Sequence, residues 1–408
     1  MADHFKPDTP EQVCEAVAWA VAEETPLEIV SSGSKRAMGR PTNIETRLDV
    51  SALRGISLYE PEELVLSAGP GTPMAEIEQT LAERRQQLAF EPADLGPLLG
   101  LASGGGTLGG AIACNLSGPR RIKAGAARDH FLGFTAVSGR GETFKSGGRV
   151  VKNVTGYDLS KLMCGAWGTL GVMTSLTVKV LPMAESIRTV LVLGIDPEEA
   201  GEAMTAAMRT PYEVSGAAWL PASLASKSGV SYVANAKTTV AAIRIEGPKP
   251  SVEYRCAALR RQLGEMGETE ELHGHNSVRF WQEVRDVIPF ATKGDGRCVW
   301  RLSVPPAEGA ATLERLAVET GGDSFLDWGG GLIWLAVDGG DDACHDAVRG
   351  AMPAAGGHAT LIRAPETVRA AVPVFQPPSA GVARLSRSVK ENFDPRGVLN
   401  PGRMYAGM

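Results

Sequence analysis

GGTLGGAIACNLSGPRRIKAGAARDHFLG, residues 105–133, is the stretch whose reading decides the fold. Gly105, Gly106, Gly109 and Gly110 allow positive φ and keep side chains clear of a bound group, so successive N–H groups can converge on an anion. Asn115 and Ser117 add side-chain donors. Arg120, Arg121, Lys123 and Arg128 bring positive charge beside them in a chain that is acidic overall, with a net charge of -6. A pyrophosphate suits this combination. Flexible surface loops share the composition, so the reading needs support elsewhere. The dinucleotide fingerprint does not supply it. Residues 104–109, GGGTLG, fit G-x-G-x-x-G loosely, but residues 90–103, FEPADLGPLLGLAS, are rich in turn formers and do not read as a buried strand.

Support comes from residues 150–182, VVKNVTGYDLSKLMCGAWGTLGVMTSLTVKVLP. A short helix is expected over 158–163, a tight turn at Gly165, Gly168 and Gly171, and an alternating strand over 172–181. Upstream, Asp8 or Thr9 before Pro10 marks a helix over 10–24, and Pro26 ends it before a strand at 27–30. Strands at 46–48 and 64–68 and a helix at 73–84 follow.

Three blocks together resemble one family in order and spacing: SSGSKRAMG (31–39) after the first strand, residues 109–118, and residues 152–171. They resemble the vanillyl-alcohol-oxidase, or PCMH-type, FAD-binding proteins. Within that class, SGPRR (117–121), KNVTGYDLSKL (152–162) and NFDPRGVLNPGRMY (392–405) are similar to the FAD-binding subunits of bacterial glycolate oxidases. The resemblance implies an α+β fold: a PCMH-type FAD-binding domain over 1–183, a ferredoxin-like cap over 184–375, and a segment over 376–408 returning to the first domain. It places Lys152, Asn153, Gly156, Tyr157, Gly168 and Gly171 at the flavin. Ser32, Gly33, Ser34, Lys35, Gly109, Gly110, Asn115, Ser117 and Gly118 would lie around its phosphates and ring, with Asn400 and Arg403 near the flavin and the domain interface. For Asn400, an ordinary Asn-Pro-Gly turn is an equal reading.

Residues 186–374 themselves read as two similar halves. The first holds strands at 189–194, 214–220 and 240–245 with helices at 197–208 and 251–266. The second holds strands at 298–304, 324–327, 332–337 and 359–363 with helices at 306–319 and 341–352. Two β-α-β-β-α-β-like units suggest the ferredoxin-like cap, and an amphipathic helix is expected over 383–393.

At 408 residues and 43% hydrophobic content the composition is globular. The acidic balance argues against nucleic acid as a partner. No apolar run reaches bilayer-spanning length, and MADHFKPDTP has no apolar signal core. The expected location is therefore cytoplasmic, with peripheral association at the inner face of the plasma membrane only through a complex. The six cysteines (Cys14, Cys114, Cys164, Cys256, Cys298, Cys344) contain no C-x-x-C pair, so no iron–sulfur or metal knuckle is read and packed thiols are expected.

A flavin carries out hydride transfer itself, so the protein must bind it, orient the substrate and provide a base. The paired-histidine metal motif of self-sufficient 2-hydroxy-acid oxidising relatives is missing. His273 and His275, at i, i+2 on one strand face, have no carboxylate partner motif, and no metal is expected. His358 reads as a catalytic or flavin-adjacent residue, or as a packing histidine. Phe280, Trp281 and Arg285 resemble a family segment whose arginine faces the substrate carboxylate, the alternative being a helix-surface arginine. Trp328, with Gly329, Gly330 and Trp334, resembles another family segment or reads as an apolar turn and strand. The first loop carries Gly33-Ser34-Lys35 where covalently flavinylated relatives carry His, so a non-covalent FAD is expected.

Three functions remain open at this point. The first is an FAD-binding glycolate oxidase subunit working with a second FAD-binding subunit and an iron–sulfur subunit. The second is a self-sufficient dehydrogenase for another 2-hydroxy acid such as lactate, with His358 as base and Arg285 as carboxylate clamp. The third is a non-catalytic assembly subunit with structural FAD.

Overall fold

The computed structural model describes residues 4–148, 156–292 and 294–408. The amino-terminal part holds two sheets. A three-stranded parallel sheet has Arg47–Asp49 between His4–Phe5 and Glu28–Val30. Helix Pro10–Ala22 buries Val13, Ala16, Val17 and Ala20, the i, i+3, i+4, i+7 stripe of an amphipathic helix. Thr9 caps it by accepting the Gln12 N–H, and Pro10 occupies the first turn, where no amide partner is lost. The second sheet is antiparallel, in the order Ile56–Glu60, Val65–Ala68, Val172–Lys179, Phe131–Val137, Thr143–Gly147. Met74–Ala82, Leu108–Ala113 and Leu159–Met163 lend side chains to the core on it, among them Ile77, Leu81, Ile112 and Met163.

Residues 186–363 build one eight-stranded antiparallel sheet. Its first half is ordered Glu268–His273, Ser186–Leu193, Val240–Gly247, Gly216–Leu220. Its second half mirrors this as Asp323–Asp327, Leu332–Val337, Cys298–Ser303, His358–Arg363. Each half is a β-α-β-β-α-β unit, and the two join through the Trp219↔Leu326 pair. One face packs under Pro197–Met208, Lys249–Leu263, Gly309–Thr320 and His345–Gly350. The other face meets Gly274–Arg285 and, from the amino-terminal part, Met38, Leu95, Leu98 and Leu116. The central strands of this sheet therefore point either into a closed core or toward the first domain, while the edge strands Glu268–His273 and His358–Arg363 carry exposed residues.

The carboxyl-terminal helix Ala380–Phe393 returns to the first domain, and Leu399 bridges Leu27. Its buried Lys390 donates to Thr169 O and Leu399 O, both at 2.8 Å, and pairs with Asp394. A buried ammonium is tolerated here because all its donors are engaged.

Three expectations need correction. Glu268–His273 is a strand that the sequence reading passed over, because ETEELH lies on the sheet edge and carries little apolar alternation. His273 ends that strand and His275 lies in the next helix, so the two do not share a strand face; Gly274, at φ +45, turns the chain between them. The helix expected over 341–352 shrinks to His345–Gly350, since Ala343 and Cys344 both take φ of +54.

Candidate cofactor cleft and active site

Strand Glu28–Val30 runs into the loop 31–36, which faces the glycine-rich loop 104–110 across a cleft of about 840 Å³. Ser32 Oγ donates to Gly105 O at 2.6 Å and ties the two loops together. Gly33 needs its freedom at φ +75. Gly109 needs its missing side chain, because a Cβ there would lie 2.7 Å from Pro70 Cβ and 2.8 Å from Pro70 O. Lys35 Nζ lies beside Gly110, 3.2 Å from Ser34 Oγ. Ser31 Oγ is buried in the cleft wall with no partner among the described residues, an unsatisfied hydroxyl awaiting a bound group. Arg403 fixes the first loop from below by donating to the carbonyls of Lys35, Arg36 and Arg40.

Cys114 and Trp167 line this cleft and also a second, smaller cavity where the first domain meets the cap sheet. Met38, Leu95 and Leu116 form its floor, and Arg285, Arg301, Asp327, Leu332, Trp334 and Ile362 form its roof. A polar cradle thus opens into an enclosed, largely apolar chamber. That is the shape and chemistry needed by a diphosphate joined to a flat aromatic ring.

The sequence-expected residues fall into three groups. Ser32, Gly33, Ser34, Lys35, Gly109, Gly110, Gly168, Gly171 and Asn400 line the cleft, and Ser117 and Gly118 line the chamber. Several act by building it. Asn400 accepts the Ile29 N–H and donates to Trp167 O, Ser117 Oγ accepts the Ala127 N–H, and a Cβ on Gly118 would sit 2.6 Å from Glu91 O. Asn115, at φ +48, accepts the Arg128 N–H and lines none of the cavities described, so it shapes the loop instead of donating to a phosphate. Gly156 is exposed and Tyr157 is 89% exposed, away from the cleft; Lys152 and Asn153 lie outside the described residues.

The basic cluster also has a different role from the one its position suggested. Arg120 forms a two-pronged pair with Glu246 of the cap (3.0 and 2.9 Å), and its N–H reaches Glu91. Arg244 of the cap holds Glu91 by two bonds of 2.9 Å. Lys123 pairs with Glu213 on the surface. Burial opposes ionisation of Glu246, yet Arg244 and Arg120 hold its pKa at about 2. These charges clamp the two domains together; of the cations lining the cleft, Arg36 pairs with Glu28 and Arg403 binds carbonyls, while Lys35 has no carboxylate partner among the described residues.

The two catalytic candidates are placed less favourably than expected. Arg285 reaches the chamber, but its fork is taken by Asp286 at 2.8 and 2.7 Å, so it is not available as a carboxylate clamp. His358 pairs in register with Ser303 and so shares a sheet face with Arg301. It is exposed at the edge and outside the chamber wall. Desolvation and then Arg301, Arg121 and Arg349 lower its pKa.

Two chamber residues escaped sequence reasoning. Asp327 is 2% exposed, with Oδ1 accepting the Trp328 N–H at 2.7 Å. Burial raises its pKa to about 7. Arg301 approaches the Trp328 ring at 5.0 Å, where Arg121 also sits at 4.3 Å. Burial, with Arg121 adding to it, lowers the Arg301 pKa to about 10. The available signal was a charge inside the mostly apolar CVWRLS and an acid closing the largely buried DSFLD.

Cleft, chamber and antiparallel cap sheet define a PCMH-type FAD-binding oxidoreductase. The FAD binding domain family matches residues 4–147. The fold follows p-cresol methylhydroxylase with substrate bound (TM-score 0.71, 15% identity, 98% of this chain and 88% of that one) and alkyldihydroxyacetonephosphate synthase (TM-score 0.67, 16% identity, 98% and 76%). The chain belongs to the family of the glycolate oxidase subunit GlcE of Escherichia coli K12, with 36% identity over 98% of both chains. More partial likeness extends to the glycolate oxidase subunit GlcD of Bacillus subtilis (37% identity, 29% of this chain and 24% of that one) and to a D-lactate dehydrogenase of Anaerostipes hadrus (29%, covering 42% and 35%). FAD is the cofactor that the cleft fits, and the chain is an FAD-dependent oxidoreductase.

Proposed function

We propose that the chain is the FAD-binding subunit of a complex that oxidises glycolate to glyoxylate, beside a second FAD-binding subunit and an iron–sulfur subunit that takes the electrons. The observation carrying this reading is 36% identity to GlcE over 98% of both chains, in a chain with a chamber at the ring end of its cleft. When bound, FAD supplies the hydride acceptor. Ser31, Ser32, Ser34, Lys35 and the amides around Gly109 and Gly110 would hold its phosphates, and Trp167 and Cys114 would stand where cleft gives way to chamber. The cofactor is dissociable. Residues 33–35 offer no His or Cys, and burial holds the Cys114 thiol neutral with a pKa of about 11, so it is no nucleophile toward the ring. Among the described residues no helix is long and apolar enough to cross a membrane. In this reading the subunit sits at the inner face of the plasma membrane through its partners.

The test is the anaerobic visible spectrum of the purified chain before and after adding glycolate. Oxidised-flavin bands that bleach support a working substrate site in this subunit. Bands that persist would place glycolate oxidation in a partner.

A further inference from the structure

We propose that Arg301 and Asp327 form the substrate subsite of the chamber: Arg301 binds the carboxylate of a small 2-hydroxy acid, and Asp327 takes the proton of its hydroxyl. This rests on the reading given under Proposed function, that the flavin ring enters the chamber.

The placement comes from sheet register. Arg301 pairs with Trp334 and Asp327 with Leu332, so both charged residues share the chamber-facing side of the cap sheet, two strands apart. Two strand spacings across and two residues along put them about 12 Å apart at the backbone, room for an arginine side chain and an acid of a few heavy atoms. Arg301 differs from its neighbours in the seam. Arg120, Arg244 and Arg285 each have a carboxylate at 2.7–2.9 Å, whereas Arg301 forms no ion pair or hydrogen bond among the described residues. The carboxylate that acts on it is Asp327, which makes no ion pair or hydrogen bond with it, and the Trp328 ring lies against it beside a second cation, Arg121. A guanidinium whose N–H groups meet no carboxylate or carbonyl, with a second cation beside it, favours an arriving anion, and in low-dielectric surroundings that pairing is strong. The apolar surfaces of Met38, Leu95, Leu116, Leu332, Trp334 and Ile362 exclude water and favour a short acid over a long one.

Asp327 faces the Trp328 N–H, Arg244, Glu91 and Arg301, with Arg285 across the chamber. Burial keeps its carboxylate basic enough to accept a proton near neutrality. In the step, the substrate O–H bond breaks and its proton bonds to Asp327. The carbinol C–H bond breaks with its electron pair passing to oxidised FAD, and the C–O bond becomes C=O. The acid is oxidised by two electrons and the FAD reduced by two.

The experiment uses the FAD-loaded chain and its variants, with oxalate as a non-oxidisable dicarboxylate probe and glycolate as the oxidisable one, both followed through the flavin spectrum. FAD content of each preparation is measured first. Oxalate should perturb the wild-type flavin spectrum saturably. Arg301→Gln should weaken oxalate binding roughly 10- to 100-fold with FAD retained, and Arg301→Lys should recover part of it. Asp327→Asn should keep oxalate affinity within about threefold, slow glycolate bleaching on the order of 100-fold or more, and remove the dependence of that rate on pH around 7. Unchanged oxalate affinity in Arg301→Gln overturns the carboxylate assignment, and unchanged bleaching in Asp327→Asn overturns the base. Should either variant lose FAD, Arg301→Lys and Asp327→Glu give the same readings with the charge kept and its reach altered. A wild-type chain that holds FAD but responds to neither acid overturns the underlying reading of function, whereas a responsive wild type with equally responsive variants overturns only the subsite.

Discussion

Two parts of one domain seam use arginine in opposite ways. At the latch, Arg244 and Arg120 meet Glu91 and Glu246 in two-pronged pairs, and every charge is answered inside the fold. Around Trp328, Arg301 and Arg121 approach the indole with no carboxylate at ion-pair distance among the described residues. Burial penalises both pairs of arginines. In the first the protein offsets that cost by direct pairs; in the second Asp327 acts on Arg301 without a direct bond, and the guanidinium N–H groups are left for something outside the chain. The latch is therefore a structural device, and the Trp328 region is a site.

The largest effect expected from disturbing this contrast lies on the paired side. Glu91→Ala leaves Arg244, 2% exposed, without its main counter-charge, and breaking one partner of a buried pair costs about 3–5 kcal/mol. Urea unfolding should show this as a clear fall in midpoint. Glu213→Ala, which removes the exposed partner of Lys123, should move the midpoint by less than about 1 kcal/mol. Equal losses in the two variants would remove the distinction between latch and surface pair.

Next in size is the cleft. Lys35→Met should weaken FAD roughly 10- to 100-fold, the value of a charge-assisted contact, measured by FAD retention during dialysis. This separates the two basic groups that look alike in sequence. Lys35 follows SSGS and Arg120 follows SGP, both in glycine-rich surroundings. The cradle was legible because glycine and serine act locally, through φ and through contacts within a loop. The destination of Arg120 was not, because Glu246 lies 126 residues away and enters only when the cap folds back. Arg301 and Asp327 were hidden for a related reason. Each sits in a strand that is largely buried, and only the assembled sheet shows which face opens on a chamber. Pattern also served the cap's helices better than its edge, since Pro197–Met208 has a proline, a capping box and a periodic stripe, whereas Glu268–His273 has only its place beside Ser186–Leu193.

The seam should also show two pH responses of opposite sign. Glu246 is held at about 2 against an ordinary value of 4.5, so its contribution is complete above 4.5 and is lost as pH falls toward 2. Asp327 has its pKa raised to about 7, so its ionised form costs stability above that pH, and the cost is relieved as pH falls through 7. Unfolding midpoints should rise modestly from pH 8 to 6 and fall below pH 4.5. Asp327→Asn should abolish the first change and keep the second; a wild type that loses stability steadily from pH 8 downward would contradict the raised Asp327.

The smallest expected effect tests whether latch and site are independent. Trp328→Phe removes the indole N–H bond to Gly118 O, 3.0 Å long, and should cost about 1 kcal/mol. It leaves a ring for Arg301 and Arg121, so oxalate affinity in the FAD-loaded chain should change by no more than about threefold. Gly118 is also bonded to Phe90 O, next to Glu91, while the Arg120 N–H reaches Glu91 two residues further along. The loop that the indole holds is thus the loop that carries the latch. In a double-mutant cycle with Glu91→Ala, the two losses should fail to add by about 0.5 kcal/mol or more. Simple additivity would mean that the latch clamps the cap without transmitting its geometry to the ring that Arg301 rests on, and the two uses of arginine would then share a seam without sharing a mechanism.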